Sequence, residues 1–268
     1  MIMRENRVRL AYKEGRPAFG LYVMTAAPRM IELMGFAGMD FVRIDMEGGH
    51  LNIETVEDMI RTAHAVGVTP FVRVQGPHEW QIKAVLKMGA LGVIIPKVSG
   101  VDDVQAAVRA AKQPPAGERY ITPAGPTGGY GLVDPETYRA WADEHVVLSA
   151  QIETRSGVEQ IEEIARIPGL DMVQSGRGDL SYHYGVPGKQ YHPLVLEAER
   201  RVIDAGLAAG KMTSVQYYPL RDPEDIHRIH SFIDLGVLCL SLGSDADIVP
   251  VHRRLLSELT NRRTPTQP

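Results

Sequence analysis

Five charged side chains close or directly follow short apolar segments of the chain: Asp45, Glu47, Arg73, Glu153 and Asp179. Two carboxylates that approach each other repel unless a cation lies between them, and carboxylate oxygens suit a hard ion such as Mg2+ or Mn2+. An arginine beside them supplies a permanent positive charge for a carboxylate or an enolate oxygen. If the fold gathers these segment ends, the residue types predict a site for a divalent metal and a small anion.

Each of these residues also has an ordinary structural role open to it. Glu153 could cap the helix predicted to follow it, and Asp179 could cap its own loop. Arg73 could instead form an internal ion pair with Asp45 or Glu47. The chemistry therefore depends on whether the fold brings Glu153 and Asp179 to neighbouring positions.

The apolar segments themselves have the composition of buried β-strands. The predicted strands are 18–23, 41–45, 69–74, 92–96, 146–153, 172–176, 212–216 and 237–242. Several are continuous apolar runs, which is typical of parallel strands buried on both faces. Helical patterns lie between them, over 28–36, 53–65, 78–88, 101–112, 157–166, 194–209, 223–235 and 246–260.

Eight strand–helix units in this length predict an α/β fold, a (β/α)8 TIM barrel, although an open doubly wound sheet is the alternative. We expect a single domain over 1–260 and a flexible tail over 261–268. In such a barrel the active site forms where the strands end, so the five charged side chains should meet there.

Composition excludes several classes of protein. The 268 residues are 44% hydrophobic and 23% charged, with a formal net charge of −4, which favours neither nucleic acid nor an anionic membrane as a partner. No segment reaches the ~20 apolar residues that a membrane helix needs. The single cysteine, Cys239, lies in an apolar run and is predicted to be a small buried hydrophobe. We therefore expect a cytoplasmic protein.

The longest irregular stretch covers 114–133 and contains several prolines and glycines. Long loops in compact domains are usually functional. Its glycine-rich part, 125–130, is neither a P-loop nor a dinucleotide fingerprint, and we expect it to be a lid over the site.

The order and spacing of five segments resemble those of the HpcH/HpaI aldolase family, metal-dependent pyruvate aldolases. The segments are GMDFVRIDME at 38–47, FVRV at 71–74, MGALGVIIP at 88–96, QIET at 151–154 and GRGDLS at 176–181. The resemblance runs from about Gly20 to Val249 and implies a barrel of the phosphoenolpyruvate/pyruvate type.

The family resemblance also implies roles for individual residues. Glu153 and Asp179 would hold the metal, either Mg2+, Mn2+ or Co2+, and Arg73 would stabilise a pyruvate enolate. Backbone amides at Gly178 and Asp179 would bind the substrate carboxylate, and Gln151 would line the pocket. The further substrate-binding candidates are Ser181, Tyr22 and Arg177. The implied partners are a small 2-oxo acid, an aldehyde and further copies of the chain, in a hexamer built as a trimer of dimers.

The sequence departs from the family pattern at four positions. A histidine that takes part in proton transfer usually follows Glu47 directly, but Gly48 stands there and His50 lies two residues later. His50 could swing into the site to act with Asp45 and Glu47, or it could belong to an ordinary loop. The other departures are Lys87 for a frequent Asp, Tyr22 for a frequent Trp, and Arg177 for a frequent Pro. Arg177 would either add a cation near the substrate or face solvent.

The resemblance predicts a divalent-metal-dependent carbon–carbon lyase that cleaves or forms a 4-hydroxy-2-oxo acid. The altered histidine position leaves two alternatives open. One is an oxaloacetate-type decarboxylase or a citrate-synthase-like condensing enzyme, since decarboxylation needs no base to remove a hydroxyl proton. The other is a barrel that binds a 2-oxo acid without catalysis. A Schiff-base mechanism would have Lys97 as its only candidate, and the carboxylate pair disfavours it.

Overall fold

Eight parallel strands follow one another around a closed barrel in chain order, and β1 pairs with β8 to complete it. The computed structural model describes residues 2–120, 122–217 and 223–260. The strands are β1 Ala18–Val23, β2 Phe41–Asp45, β3 Thr69–Arg73, β4 Gly92–Ile95, β5 Val147–Ile152, β6 Met172–Ser175, β7 Met212–Tyr217 and β8 Cys239–Ser244. The predicted (β/α)8 barrel is confirmed, and the open sheet is wrong. The predicted tail, 261–268, lies outside the described residues.

Helices surround the barrel and also close one of its ends. They are α1 Arg7–Lys13, α2 Pro28–Phe36, α3 Ile53–Ala65, α4 Glu79–Met88, α5 Val101–Ala111, α6 Pro135–His145, α7 Arg155–Glu159, α8 Ile161–Ala165, α9 Arg177–His183, α10 Pro193–Ala208, α11 Pro223–Asp234 and α12 Ile248–Thr260. The predicted helix 157–166 is two short helices, α7 and α8. Three helices were not predicted, namely α1, α6 and α9. None of the helices in the described ranges is both long and apolar enough to cross a membrane.

Because every second residue of a strand points inward, the side chains inside the barrel form layers along its axis. Along β2, Phe41 packs in the apolar cluster at the strand starts, Arg43 lies fully buried at mid-height, and Asp45 ends the strand. Glycine makes room for the lower aromatic rings, because a Cβ on Gly20 would lie 2.4 Å from the ring of Phe41. The interior is therefore apolar where the strands begin and charged where they end.

Helix α1 covers the apolar end of the barrel. Its Val8 and Ala11 belong to the cluster that lines the strand starts. Asn6 caps the helix by accepting from the Val8 N–H (3.0 Å) and donates from Nδ2 to the carbonyls of Leu91 (2.9 Å) and His145 (2.8 Å). This closed end lies opposite the strand tips, so the site can open only at the tips.

The segment 125–130, predicted to be a lid, does not lie over the strand tips of its own chain. The segment forms a 3-10 helix, Pro126–Gly131, and the Met3 N–H donates to the Thr127 carbonyl (2.9 Å). Gly125 packs against the last turn of α4, where an added Cβ would lie 2.6 Å from the Lys87 carbonyl oxygen. The physical reason is the connectivity. The segment lies between α5 and α6, on the path that returns the chain to the start of β5, and such return connections lie at the amino ends of the strands.

Candidate active site

Arg73 and Asp45 form a two-pronged ion pair at the tips of β2 and β3. These residues are direct register partners across the strand pair. Arg73 Nε donates to Asp45 Oδ1 (2.9 Å) and Nη2 donates to Oδ2 (2.7 Å). Asp45 Oδ1 also accepts from the backbone N–H groups of Glu47 (3.0 Å) and Gly48 (3.1 Å). The internal ion pair that was the alternative for Arg73 is therefore present, and it fixes the guanidinium at the strand tips.

Glu47 lies between two cations. Its Oε2 is 2.9 Å from Arg73 Nη1 and its Oε1 is 2.7 Å from Lys97 Nζ. Hydrogen bonding and charge attraction from Glu47 raise the pKa of the Lys97 ammonium, against a small opposing effect of burial. Lys97 follows β4 with a positive φ of 52°, which directs its backbone and side chain to different carboxylates.

Glu153, just after β5, is almost completely buried, at 1% exposure. Its Oε1 accepts from the Lys97 backbone N–H (2.7 Å) and its Oε2 accepts from Gln151 Nε2 (2.5 Å). Its pKa is raised to about 7, mainly by burial and also by the charges of Asp179 and Glu47, whereas the Lys97 N–H and the Arg73 charge act in the opposite direction. The positive charge near Glu153 is therefore too little to offset the effect of burial on its ionised form.

Asp179 lies in α9 after β6, with its side chain exposed. Its carboxylate forms no hydrogen bond or ion pair with the residues that the structure describes, yet its charge acts on both Glu153 and Lys97. Close approach of the two strand tips requires Gly176, because an added Cβ would lie 2.3 Å from Glu153 Oε2. The predicted pair of carboxylates is therefore brought to neighbouring positions.

Gln151 joins the two parts of the site. It points inward two residues before Glu153, in keeping with the strand period. Its Oε1 accepts from Gln174 Nε2 (3.0 Å) and lies 3.5 Å from Arg73 Nη1. Its amide therefore lies between the ion-paired side and the carboxylate side, where it can orient a ligand.

Arg177 does not face solvent, so that alternative is wrong. Its side chain is 5% exposed, and Nε lies 3.3 Å from Glu199 Oε1. Its Nη2 donates to the Gln216 carbonyl (2.9 Å), and its guanidinium stacks on Tyr191 and Tyr217. These contacts direct the cation towards α10 and β7 and neutralise it there.

Ser181 is fully buried and holds the loop that follows α9. Its Oγ donates to the Gly178 carbonyl (2.6 Å) and accepts from the Gly188 N–H (3.0 Å). The hydroxyl therefore ties the first turn of α9, at Gly178, to the loop at Gly188.

The prediction that Tyr22 contacts substrate requires a correction, because its side chain has no exposed surface. The ring lies under Arg73, with 5.0 Å from its centroid to the Arg73 Cζ. The hydroxyl accepts from Arg43 Nη1 (3.1 Å). Tyr22 therefore supports the site from within the barrel, since the side chains above it fill the space that a ligand would need.

Sequence reasoning did not identify Arg43, a fully buried arginine whose Nη2 also donates to Ser214 Oγ (2.5 Å). The sequence could have indicated it, because Arg43 is a charged residue two positions before Asp45 in an otherwise apolar strand. The strand period of two places both side chains on the same, inward face. Lys97 was considered only for a Schiff base. Its side chain is 61% exposed and paired with Glu47, so it lacks the burial that would lower its pKa for that chemistry.

His50 is exposed, and its ring forms no hydrogen bond or ion pair within the described ranges. The Gly48–Gly49 turn before it is closely packed. A Cβ on Gly49 would lie 2.6 Å from the Asp45 carbonyl oxygen and 2.7 Å from that of Met24. The structure therefore does not bring His50 together with the other candidate residues.

The donor set at β5 and β6 fits a hard divalent cation. Among the described residues no group of three or more His, Cys, Asp or Glu side chains could hold a metal. Two carboxylates remain, Glu153 and Asp179, whose mutual repulsion a cation would relieve. Mg2+ commonly takes one or two protein carboxylates and fills its other positions with water and substrate oxygens.

Known proteins are similar to this chain in sequence and in fold. A family model described as HpcH/HpaI aldolase/citrate lyase matches residues 18–247. The hydroxypyruvate/pyruvate aldolase of Roseobacter denitrificans is 31% identical over 245 residues, which cover 90% of this chain and 91% of that protein. The 4-hydroxy-2-oxo-heptane-1,7-dioate aldolase of Shigella sonnei is 30% identical over 249 residues, which cover 91% of each.

Solved structures of related proteins have the same fold as this chain. The citrate synthase SbnG has a TM-score of 0.81 and 31% identity, with 94% of this chain and 95% of that chain covered. An HpcH/HpaI aldolase from Desulfitobacterium hafniense has a TM-score of 0.86 at 23% identity, over 97% of this chain and 98% of that one, and supports the fold. Because the family model and these relatives span about nine-tenths of its length, the chain belongs to the HpcH/HpaI aldolase/citrate lyase family and is an enzyme, a lyase.

Proposed function

We propose that the chain is a class II aldolase that cleaves or forms a 4-hydroxy-2-oxo acid, with a 2-oxo acid and an aldehyde as the other reactants. The observation that carries the proposal is the buried Glu153 beside the exposed Asp179, two carboxylates of which Asp179 raises the pKa of Glu153, on the side of Gln151 opposite a fixed Arg73. The family to which the chain belongs generally depends on a divalent metal, and Mg2+, Mn2+ and Co2+ are the candidates that suit this donor set.

Glu153 and Asp179 would hold the metal, which supplies Lewis-acid stabilisation of the negative charge that develops on the 2-oxo oxygen. The other contributions to catalysis come from side chains of the protein. Arg73 carries a permanent charge, and its fork on Asp45 fixes its position before substrate arrives. Such preorganised charge stabilises an enolate more than a neutral ketone, which lowers the barrier to breaking the C3–C4 bond.

Substrate orientation would come from the amides near the carboxylate pair. The side chain of Gln151 is anchored to Glu153 at one end and to Gln174 at the other, so its position between Glu153 and Arg73 is fixed. The backbone N–H groups of Gly178 and Asp179 are the candidates for binding the substrate carboxylate, by resemblance to the family. Ser181 fixes the Gly178 carbonyl and thereby the course of this backbone.

A second candidate function follows from the position of the histidine. His50 is exposed and Gly48 takes the usual place, so the described site contains no imidazole to accept a hydroxyl proton. A decarboxylation of an oxaloacetate-type acid needs only stabilisation of the enolate, which Arg73 and the metal would provide. The likeness to the citrate synthase SbnG supports a condensing reaction on the same scaffold.

We also propose that the enzyme works as a homo-oligomer, with the hexamer of three dimers as the expected form. Helix α12 buries none of its residues against the barrel. Its six apolar side chains expose 47% to 66% of their surface: Ile248, Val249, Val251, Leu255, Leu256 and Leu259. An apolar patch of this kind marks a protein interface. Light scattering should give a multiple of the chain mass, and Leu256→Glu should reduce it.

The test is pyruvate release from a panel of 4-hydroxy-2-oxo acids, with EDTA and then with added Mg2+, Mn2+ or Co2+. Asp179→Asn removes one proposed ligand from an exposed position, and Asp204→Asn, in a surface pair with Arg200, is the matched control. Metal-dependent release that only Asp179→Asn abolishes supports the aldolase. CO2 release from oxaloacetate, without release of aldehyde from any substrate, favours the second candidate. Metal binding without turnover would leave a non-catalytic barrel.

A further inference from the structure

The carboxylate of Asp179 has no direct support from the described residues, with which it forms neither a hydrogen bond nor an ion pair. Its position therefore follows the course of the backbone before it. That backbone has glycine at 176 and 178, and glycine restricts the chain least of all residues. Gly178 also lies inside α9, where glycine costs about 0.5–1 kcal/mol relative to alanine. If Asp179 is to hold a metal, another contact must fix this segment.

Arg177 lies between the two glycines and is anchored on several sides. Its Nη2 donates to the Gln216 carbonyl of β7 (2.9 Å). Its Cζ lies 5.0 Å from the ring centroid of Tyr191 and 5.3 Å from that of Tyr217. Its Nε lies 3.3 Å from Glu199 Oε1, on α10. The side chain of Arg177 therefore connects the start of α9 to β7 and to α10.

Glu199 extends this connection to the end of β6. The same Oε1 that lies near Arg177 accepts from Ser175 Oγ (2.7 Å), on the last residue of the strand. Between these two residues, the Gly176 N–H donates to the Ile152 carbonyl (3.1 Å). Helix α10 packs against both β6 and α9. One buried carboxylate oxygen thus holds the chain on both sides of Gly176.

The pair of Arg177 and Glu199 is costly to bury. The two side chains expose only 5% and 4% of their surface. Burial raises the pKa of the Glu199 carboxyl, whereas the Arg177 charge and the Ser175 hydroxyl act in the opposite direction. Replacing a buried ion pair with apolar side chains of similar volume is often neutral or stabilising. The contribution of this pair therefore lies in its directional bonds more than in the stability of the fold.

We propose, on the basis of the function proposed above, that Arg177 and Glu199 are positioning residues for the metal site. They fix the backbone over 176–178 and through it the carboxylate of Asp179. Neither side chain touches the metal or the substrate, since their contacts lie with β6, β7 and α10. Removing a residue that orients a metal ligand typically weakens metal binding by about 10- to 100-fold.

The experiment replaces the ionic pair with an apolar one, in the double variant Arg177→Met with Glu199→Leu. The two new side chains have about the length of the old ones but make none of the directional bonds. The matched control is Arg200→Gln with Asp204→Asn, which removes the same two charges from an exposed pair on α10. Asp179→Asn reports on the proposed metal site itself.

Mn2+ titration of the EDTA-treated full chain, at a temperature where every variant is folded, measures the effect. The double variant should bind Mn2+ about tenfold or more weakly, and the control should change the affinity by less than about twofold. Without metal, the melting temperature of the double variant should stay within about 4 °C of the wild type, the shift for roughly 1 kcal/mol. At saturating Mn2+, kcat should fall by a smaller factor than the affinity.

An unchanged Mn2+ affinity in the double variant would overturn the positioning role, even if its melting temperature fell, because the pair would then serve only the fold. A kcat that falls by more than the affinity would overturn it too. Unchanged affinity in Asp179→Asn would overturn the proposed metal site together with this role, so the two failures are distinguishable. If the double variant does not fold, Ser175→Ala decides: it removes one bond to Glu199 and should weaken Mn2+ binding by about threefold, and an unchanged affinity would contradict the role.

Discussion

At the tips of β2 and β3 the charges of Asp45, Glu47 and Arg73 are matched by partners, whereas after β5 and β6 the carboxylates of Glu153 and Asp179 form no ion pair with the described residues. Arg73 contacts both Asp45 and Glu47 within 2.9 Å. Glu153, in contrast, has a pKa raised to about 7 by burial, with Asp179 adding to the effect. One side of the site therefore pairs its charged groups with each other, and the other side leaves its carboxylates without an ion pair among the described residues.

The difference indicates a division of labour. Arg73 on the paired side is fixed before any ligand arrives, which suits the stabilisation of charge that develops during the reaction. The unpaired side holds repulsion that a divalent cation would remove. Glu153 contributes to this more than Asp179, because it is buried and Asp179 is exposed.

Glu153→Gln breaks the unpaired side and should have the largest effect. The amide keeps the shape of the side chain but removes one of two anionic ligands, so kcat/KM with saturating Mg2+ should fall by about 10³-fold, or several kcal/mol. Steady-state kinetics on the best substrate measures this. Glu162→Gln, which affects only a surface pair with Arg201, is the control and should retain full activity.

Arg73→Lys disrupts the ion pairs at the tips of β2 and β3 while it keeps the positive charge at position 73. Lysine cannot reproduce the fork on Asp45 together with the contact to Glu47, so kcat should fall by about 10²-fold. KM should change less than kcat, because the lost interaction is strongest in the transition state. Unchanged kcat with a higher KM would assign Arg73 to ground-state binding instead.

The pH dependence of stability sharpens the comparison in the metal-free enzyme. The pKa of Glu153 is raised from its ordinary value of 4.5 to about 7, so between these values the folded state holds more protons than the unfolded state. The free energy of unfolding should therefore fall as the pH rises through this window, by about 3 kcal/mol for this group. Urea denaturation with EDTA at pH 5 and pH 8 measures the change. Glu153→Gln should lose that part of it, and an identical slope in the variant would contradict the electrostatic picture.

Tyr22→Phe tests how the paired side is supported from below. The change leaves Arg43 Nη1 without its hydroxyl acceptor but keeps the ring under Arg73. The free energy of unfolding should fall by about 1–3 kcal/mol, the cost of an unmet hydrogen bond at a buried group. KM should remain the same, because the ring has no exposed surface. A large increase in KM would instead place the hydroxyl in contact with substrate.

His50→Ala should have the smallest effect. The ring is exposed and makes no hydrogen bond with the described residues, so kcat/KM should stay within about threefold of wild type. A fall of about 10²-fold, the usual scale for a lost general base, would show that the turn at Gly48 and Gly49 moves during the reaction.

Strand tips were predictable because the strand period and the barrel connectivity act together. Gln151 and Glu153 lie two apart and both point inward, and Asp45 and Arg73 are register partners. The family resemblance then assigned roles to positions that the fold had already gathered. Glu153 and Asp179 are adjacent for this reason, as predicted from their positions after β5 and β6.

Side-chain direction was harder to predict. Tyr22 and Arg177 have residue types that suit a binding site. Their side chains are instead directed into the protein, Tyr22 by its contact with Arg43 and Arg177 by its contact with Glu199. Such contacts join residues far apart in sequence, and no local pattern reports them. Helix α6 was missed although its sequence carried a start signal, since Asp134 caps it by accepting from the Thr137 N–H (3.0 Å).

Mn2+ titration of the EDTA-treated chain by calorimetry tests the division of the site most directly. The account predicts one bound Mn2+ per chain, an affinity about 10²-fold or more lower in Glu153→Gln and in Asp179→Asn, and a change within about fivefold in Glu47→Gln, on the paired side. Loss of Mn2+ binding in Glu47→Gln with retention in Glu153→Gln would contradict it, because the metal would then lie on the side where the charges are already matched.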